Sequence, residues 1–133
     1  MFEDVGVTAY NGGAPLIQDK TYLAAAASIL AVEAYHAANI RTAILAIGRA
    51  GNSGILDTAK KISDARDAVN SSVDKDQPIT TNGASNGPGN IVPADEFGLA
   101  FSRTTSEVLN IVYLNPNKTP GAFFPRGLNG SIA

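Results

Sequence analysis

Apolar residues recur at helical spacing from Phe2 to Tyr10, and the run stops against Asn11-Gly12-Gly13-Ala14-Pro15, whose glycines and proline favour helix termination. A short connection leads to Asp19, which predicts an N-cap for a second helix from Lys20 to about Ile47, rich in alanine and leucine and closing at Gly48 or Gly51. Such a helix is about 40 Å long, which suits a bundle better than a small mixed fold. Two helices joined by so short a connection pack most easily as an antiparallel hairpin. A third helix is predicted over Ile55 to Val69, with Ile55, Ala59, Ile62, Ala65 and Val69 facing inward and Asp57, Lys60, Lys61, Asp64 and Asp67 solvated. From Asn70 to Pro93 small polar residues, glycine and proline dominate, which predicts a long excursion, either an ordered surface loop or a partly mobile one. Thr104-x-x-Glu107 has the spacing of a capping box ahead of Val108, Leu109, Ile111, Val112 and Leu114, and Asn115-Pro116 stops that fourth helix. The apolar, glycine-broken tail from Gly121 to Ala133 is expected to lie over the helices.

Composition sharpens this picture. Twelve Ala lie between Ala24 and Ala59, whereas six of the seven Pro and seven of the thirteen Gly follow Gln77, so the chain changes near residue 70 from helical to loop-rich. A chain of 133 residues fits the prior of about 150 residues for one domain. The formal charge of −2, with no basic block, argues against nucleic acid as a partner. Absence of Cys removes disulfides, zinc fingers and thiol chemistry. The chain start has no secretory pattern, so the compartment is not legible. Thr21 to Ile40 is long enough to span a bilayer but carries Glu33, His36 and Asn39. A central Glu costs about 2.5 kcal/mol or more in lipid, so the expectation is a buried helix of a soluble fold, with no membrane span.

The candidate chemistry lies in that helix. Glu33 and His36 stand three apart, and the steps Ile29, Glu33, His36 or Ala37, Ile40, Ile44, Ile47 follow one apolar face. A carboxylate there must be paired, protonated or given a cation. With a single His in the chain, any metal centre leans on carboxylates. Glu-x-x-His offers one oxygen and one nitrogen donor on a shared face, as carboxylate-bridged dimetal sites require; the plainer reading of His36 is a satisfied core residue. Glu3 sits on the first helix, and an antiparallel hairpin permits it to converge with Glu33; its plainer reading is a first-turn Glu favoured by the helix dipole. Gly83-Ala84-Ser85-Asn86-Gly87 matches a nucleophile elbow but lies in a loop without strand or His partner. Asn70-Ser71-Ser72, Asn117-Lys118-Thr119 and Asn129-Gly130-Ser131 fit a glycosylation pattern at a frequency expected by chance. Asp95 and Glu96 read as a capping or loop-anchoring pair.

Phe2-Glu3-Asp4-Val5-Gly6-Val7-Thr8-Ala9-Tyr10, Gly13-Ala14-Pro15-Leu16-Ile17 and the run from Ala25 to Ala38 resemble the third and fourth helices of the ferritin-like, desiccation-related protein family. Ile62-Ser63-Asp64-Ala65-Arg66-Asp67, Asn90-Ile91-Val92-Pro93-Ala94-Asp95, Phe101-Ser102-Arg103-Thr104, Val108 to Tyr113 and Phe123-Phe124-Pro125 with Gly127-Leu128-Asn129-Gly130 resemble its C-terminal region. The resemblance implies an all-α fold: a ferritin-like half bundle, an antiparallel helix pair over 1–50, followed by a helical, loop-rich C-terminal region over 51–133. It implies Glu3 as a terminal carboxylate ligand, Glu33 as a bridging carboxylate, His36 as a terminal nitrogen ligand, and iron or manganese as a possible dimetal centre. It also implies a stress or desiccation role and mildly favours an exported or periplasmic protein. The family's first two helices do not precede Met1, so the chain holds half a site. Either it is a truncated product without a competent centre, or a homodimer supplies the second half, as a two-fold contact allows. A different class remains open: a non-catalytic structural or interaction module in which Glu33 and His36 pair with each other or with an Arg. Whether the chain is an enzyme is undecided at this level.

Overall fold

The protein is described here from a computed structural model covering residues 2–70, 73–116 and 120–129. The described residues are all-α, with two isolated β-bridges and no strand among them. Helix α1 spans Phe2–Gly13 and runs into a 3-10 turn, Ala14–Leu16, with Pro15 inside it. It extends past the predicted stop at Asn11. Gly12 lies against the Arg103 backbone, where an added Cβ would collide with the carbonyl, and the Asn11 amide donates to the Ala100 and Phe101 carbonyls at 3.0 and 3.2 Å. These contacts offset glycine's weak helix propensity, a term of about 1 kcal/mol per residue. Asp19 then caps α2, Lys20–Arg49, by accepting from the Thr21 and Tyr22 amides as predicted. The two helices form the expected antiparallel hairpin.

A buried second helix does not form. Only Ala26, Ala37, Arg41, Leu45 and Gly48 of α2 are buried, because α1 is less than half as long and the C-terminal region covers the same side. Tyr22, Ile29, Val32, Tyr35, Ile40 and Ile47 are exposed. By length and composition α2 is also long and apolar enough to cross a membrane.

Helix α3, Gly54–Asp67, stops just short of the predicted end, and its buried side extends beyond the predicted apolar stripe to Leu56, Ser63 and Arg66. Leu56, Ser63 and Arg66 are buried, Ile55, Ala59 and Ile62 border them, and Ala65 is exposed. Leu56 seats against Gly48 of α2, where a Cβ would clash with it, and Ser63 donates to the Asp76 carbonyl. Apolar periodicity could not show a buried side built partly from hydrogen-bonded polar residues. The loop that follows contains a 3-10 turn at Thr81–Gly83 and a bridge between Thr80 and Gly89. Helix α4, Thr105–Tyr113, has the full capping box and ends on Leu114 at φ 49. Asp95 anchors its loop by accepting from the Phe97 and Leu99 amides. In the tail, the Phe123 ring meets Phe2 edge-on at 5.0 Å and the Leu128 amide donates to the Tyr113 hydroxyl at 3.0 Å. Each Asn-x-Ser/Thr pattern and the final residues 130–133 fall at least partly outside the described residues.

The core has two small apolar clusters, Val5–Val69–Ile111 and Leu45–Leu56–Ile79. Between them runs a buried chain of charges. Asp4 accepts from Arg41 at 3.3 Å and from Arg66 at 3.5 Å. Arg66 reaches Asp76 at 2.6 Å, Asp76 also pairs with Arg103, and Arg103 donates to Thr8 at 2.6 Å. Ion pairs sealed from water at both ends recover much of their desolvation cost only when every member is present.

Asp67, at the end of α3, sits beside this chain. Burial, then the charges of Asp76 and Asp74, push its carboxyl up from 3.8 to about 6, against Arg103 and Arg66. Since the folded state holds this proton more tightly than the unfolded state, the contribution is present below pH 3.8 and is lost as pH rises through about 6. Asp67→Asn is therefore expected to gain stability relative to the native chain as pH is raised from 4 to 7. Urea midpoints of the two proteins across that range check this; a constant difference between them would contradict it.

Candidate metal centre

The first turn of α1 and the middle of α2 bring Glu3, Glu33 and His36 together. His36 Nδ1 lies 3.0 Å from Glu3 Oε2. A carboxylate only accepts, so Nδ1 is the donor in this contact. The Glu3 carboxylate also lies near enough to Glu33 for its charge to act on it. The Glu33 carboxyl is raised above the usual range by desolvation first, then by the charge of Glu3; His36 opposes the shift. Glu3 thus pairs with His36 and acts electrostatically on Glu33, the two members of Glu33-x-x-His36.

The sequence reading expects an acid and an imidazole inside apolar packing, and that part is corrected. The His36 side chain is 59% exposed and that of Glu3 29% exposed. The cause is the bare outer side of α2, since nothing among the described residues packs over it. Among the described residues no group of three Asp, Glu or His is arranged to close on a metal ion as it stands. The Glu3–His36 pair occupies the geometry instead. The close helix approach comes from Gly6: a Cβ there would strike the Glu33 carboxyl. Because the struck group is the free end of a flexible side chain, Gly6→Ala is expected to leave the fold intact and swing Glu33 away from Glu3. Loss of the upward shift of the Glu33 carboxyl, followed by carbon-detected NMR titration, checks this. An unchanged Glu33 titration would contradict it.

Sequence reasoning missed the charges beneath these donors. Asp4, next to Glu3, turns inward to Arg41 and Arg66. Arg41 spends its other donors on main-chain carbonyls: Nε on Asn90 at 3.0 Å, and Nη2 on Gln77 at 2.9 Å and Pro78 at 3.1 Å. Burial lowers the Arg41 pKa, Asp4 supports its charge, and Arg66 works against it. The available signal was Arg41 itself, four residues from Ala37 and from Leu45 on the inward face of an alanine-rich helix.

The donor set is two carboxylates and an imidazole, which suits iron, manganese or zinc among divalent cations. Gly6 gives the Glu33 carboxyl room between the helices. As donor types they correspond to one half of the Glu and Glu-x-x-His set that dinuclear centres use. No curated protein and no solved structure matches the chain. Residues 1–46, the segment that carries Glu3, Glu33 and His36, match the family model of a ferritin-like domain.

Proposed function

We propose that the protein is a ferritin-like metal-binding protein, with Glu3, Glu33 and His36 supplying half of an iron or manganese dimetal site that a second copy completes, and with a role in stress or desiccation. The observation that carries this reading is the reach of Glu3 across the hairpin to both members of Glu33-x-x-His36. Ile29, Val32, His36 and Ile40 recur at heptad-like spacing along one exposed side of α2, with Phe2 exposed on α1. An isologous contact there would bury apolar surface and set two donor triads against each other. In that assembly Glu33 would bridge, while Glu3 and His36 would hold the ends.

Such a metal pair would supply redox chemistry toward oxygen or peroxide. The chain's own part is to orient the donors, and because carboxylates and an imidazole take a metal only when the competing proton is off, binding weakens as pH falls. The closed Glu3–His36 pair favours a second reading, a structural or interaction module that never takes metal. Sedimentation separates the two. Mn(II)-loaded protein is expected to sediment as a dimer with about one metal per chain. A chain of unchanged mass that takes up no Mn(II) would favour the second reading.

A further inference from the structure

We infer that the region after residue 46 sets the geometry of the donor cluster, and that Asp4, clasped between Arg41 and Arg66, is the positioning residue that presents Glu3 to His36 and Glu33. This inference rests on the metal reading for its purpose, but not for its geometry. Glu3 and Asp4 are consecutive on a helix, so their side chains leave it about 100° apart. One meets the outer cluster and the other the inner charges. Whatever fixes Asp4 therefore fixes the rotation of the first turn and the aim of Glu3.

Three parts of the chain hold Asp4. Arg41 comes from α2, five residues beyond His36, with its side chain 5% exposed. Its remaining bonds go to Gln77, Pro78 and Asn90, so the 77–90 loop sets where its guanidinium lies. Arg66 comes from α3 and is tied through Asp76 to Arg103, which returns to α1 at Thr8 through its side chain and its amide. The first turn and the middle of α1 are thus held in part by Arg66 and Arg103, outside the segment similar to a ferritin-like domain. With the Asp4 charge removed, Arg41 and Arg66 would face each other without their shared anion, and the first turn would lose its anchor.

The experiment uses the whole chain and its single imidazole. At one fixed pH and without metal, the His36 ring signals are recorded by proton NMR for the native protein, Glu3→Gln and Asp4→Asn. Asp4→Asn is expected to move the ring signals most of the way to their Glu3→Gln positions, and Asp4→Glu to return them toward native. Asn11→Ala, which cuts the other end of α1 loose from Ala100 and Phe101, is expected to leave them unmoved. In the same samples Mn(II) affinity is expected to fall about tenfold or more in Asp4→Asn, the size of an outer-sphere defect. Ring signals of Asp4→Asn at the native positions, or equal displacement in Asn11→Ala, would overturn the positioning role. If the native chain binds no Mn(II), the metal reading fails and the ring signals alone still decide the geometry. Should Asp4→Asn not fold, Arg41→Lys is read in its place with the same expected displacement, since a lysine keeps the charge but cannot make the forked contacts.

Discussion

Asp76→Asn is expected to be the most damaging single substitution in the chain. The Asp76 side chain is 1% exposed and carries Arg66 on one oxygen and Arg103 on the other, with those side chains 3% and 0% exposed. Removing one carboxylate leaves two buried guanidinium groups side by side, and Asp4 is already shared between Arg41 and Arg66. Breaking a buried pair in this way costs about 3–5 kcal/mol. Typical domain stability is only about 5–15 kcal/mol, so this is a large share of the total. An amide of the same shape fills the space, so the loss is electrostatic and not a cavity effect. In urea the midpoint is expected to drop by about 2 M, given slopes of about 1–3 kcal/mol/M. A shift below about 0.5 M would mean that the charge chain does not carry the fold.

The same network explains what could and could not be read from the sequence. Asp19 and the Thr104–Glu107 box declared two helix starts, since capping is a local interaction between residues two or three apart. The hairpin followed from a short connection, and with it the convergence of Glu3 on Glu33 and His36. Helix α3 was located correctly and Ile55, Ala59 and Val69 do face the core, but its inward side also includes Ser63 and Arg66, whose partner Asp76 lies ten or more residues away in a loop. The continuation of α1 through Gly12 and Gly13 depended on Arg103, remote in sequence. Exposure of His36 followed from which side of α2 the C-terminal region chose, and alanine-rich periodicity carries no information about that choice. Local chemistry was legible, whereas pairings across the loop-rich half were not.

Glu33→Ala is expected to abolish stoichiometric metal binding while leaving the fold intact. In the proposed site Glu33 is the bridging donor, and its carboxyl lies over Gly6 near Glu3 without joining the Asp4–Arg41–Arg66–Asp76 network. Truncation therefore removes a donor and relieves a close carboxyl pair, so thermal stability is expected to hold or rise slightly. Glu3 and His36 would remain paired to each other, a combination too poor in donors to retain Mn(II) at micromolar concentration. The most direct test is the amount of Mn(II) bound at equilibrium, followed by the loss of its free-ion paramagnetic resonance signal, in the native chain and in Glu33→Ala. The account predicts about one Mn(II) per native chain and none above background in the variant; equal binding by both proteins, or by neither, would contradict it.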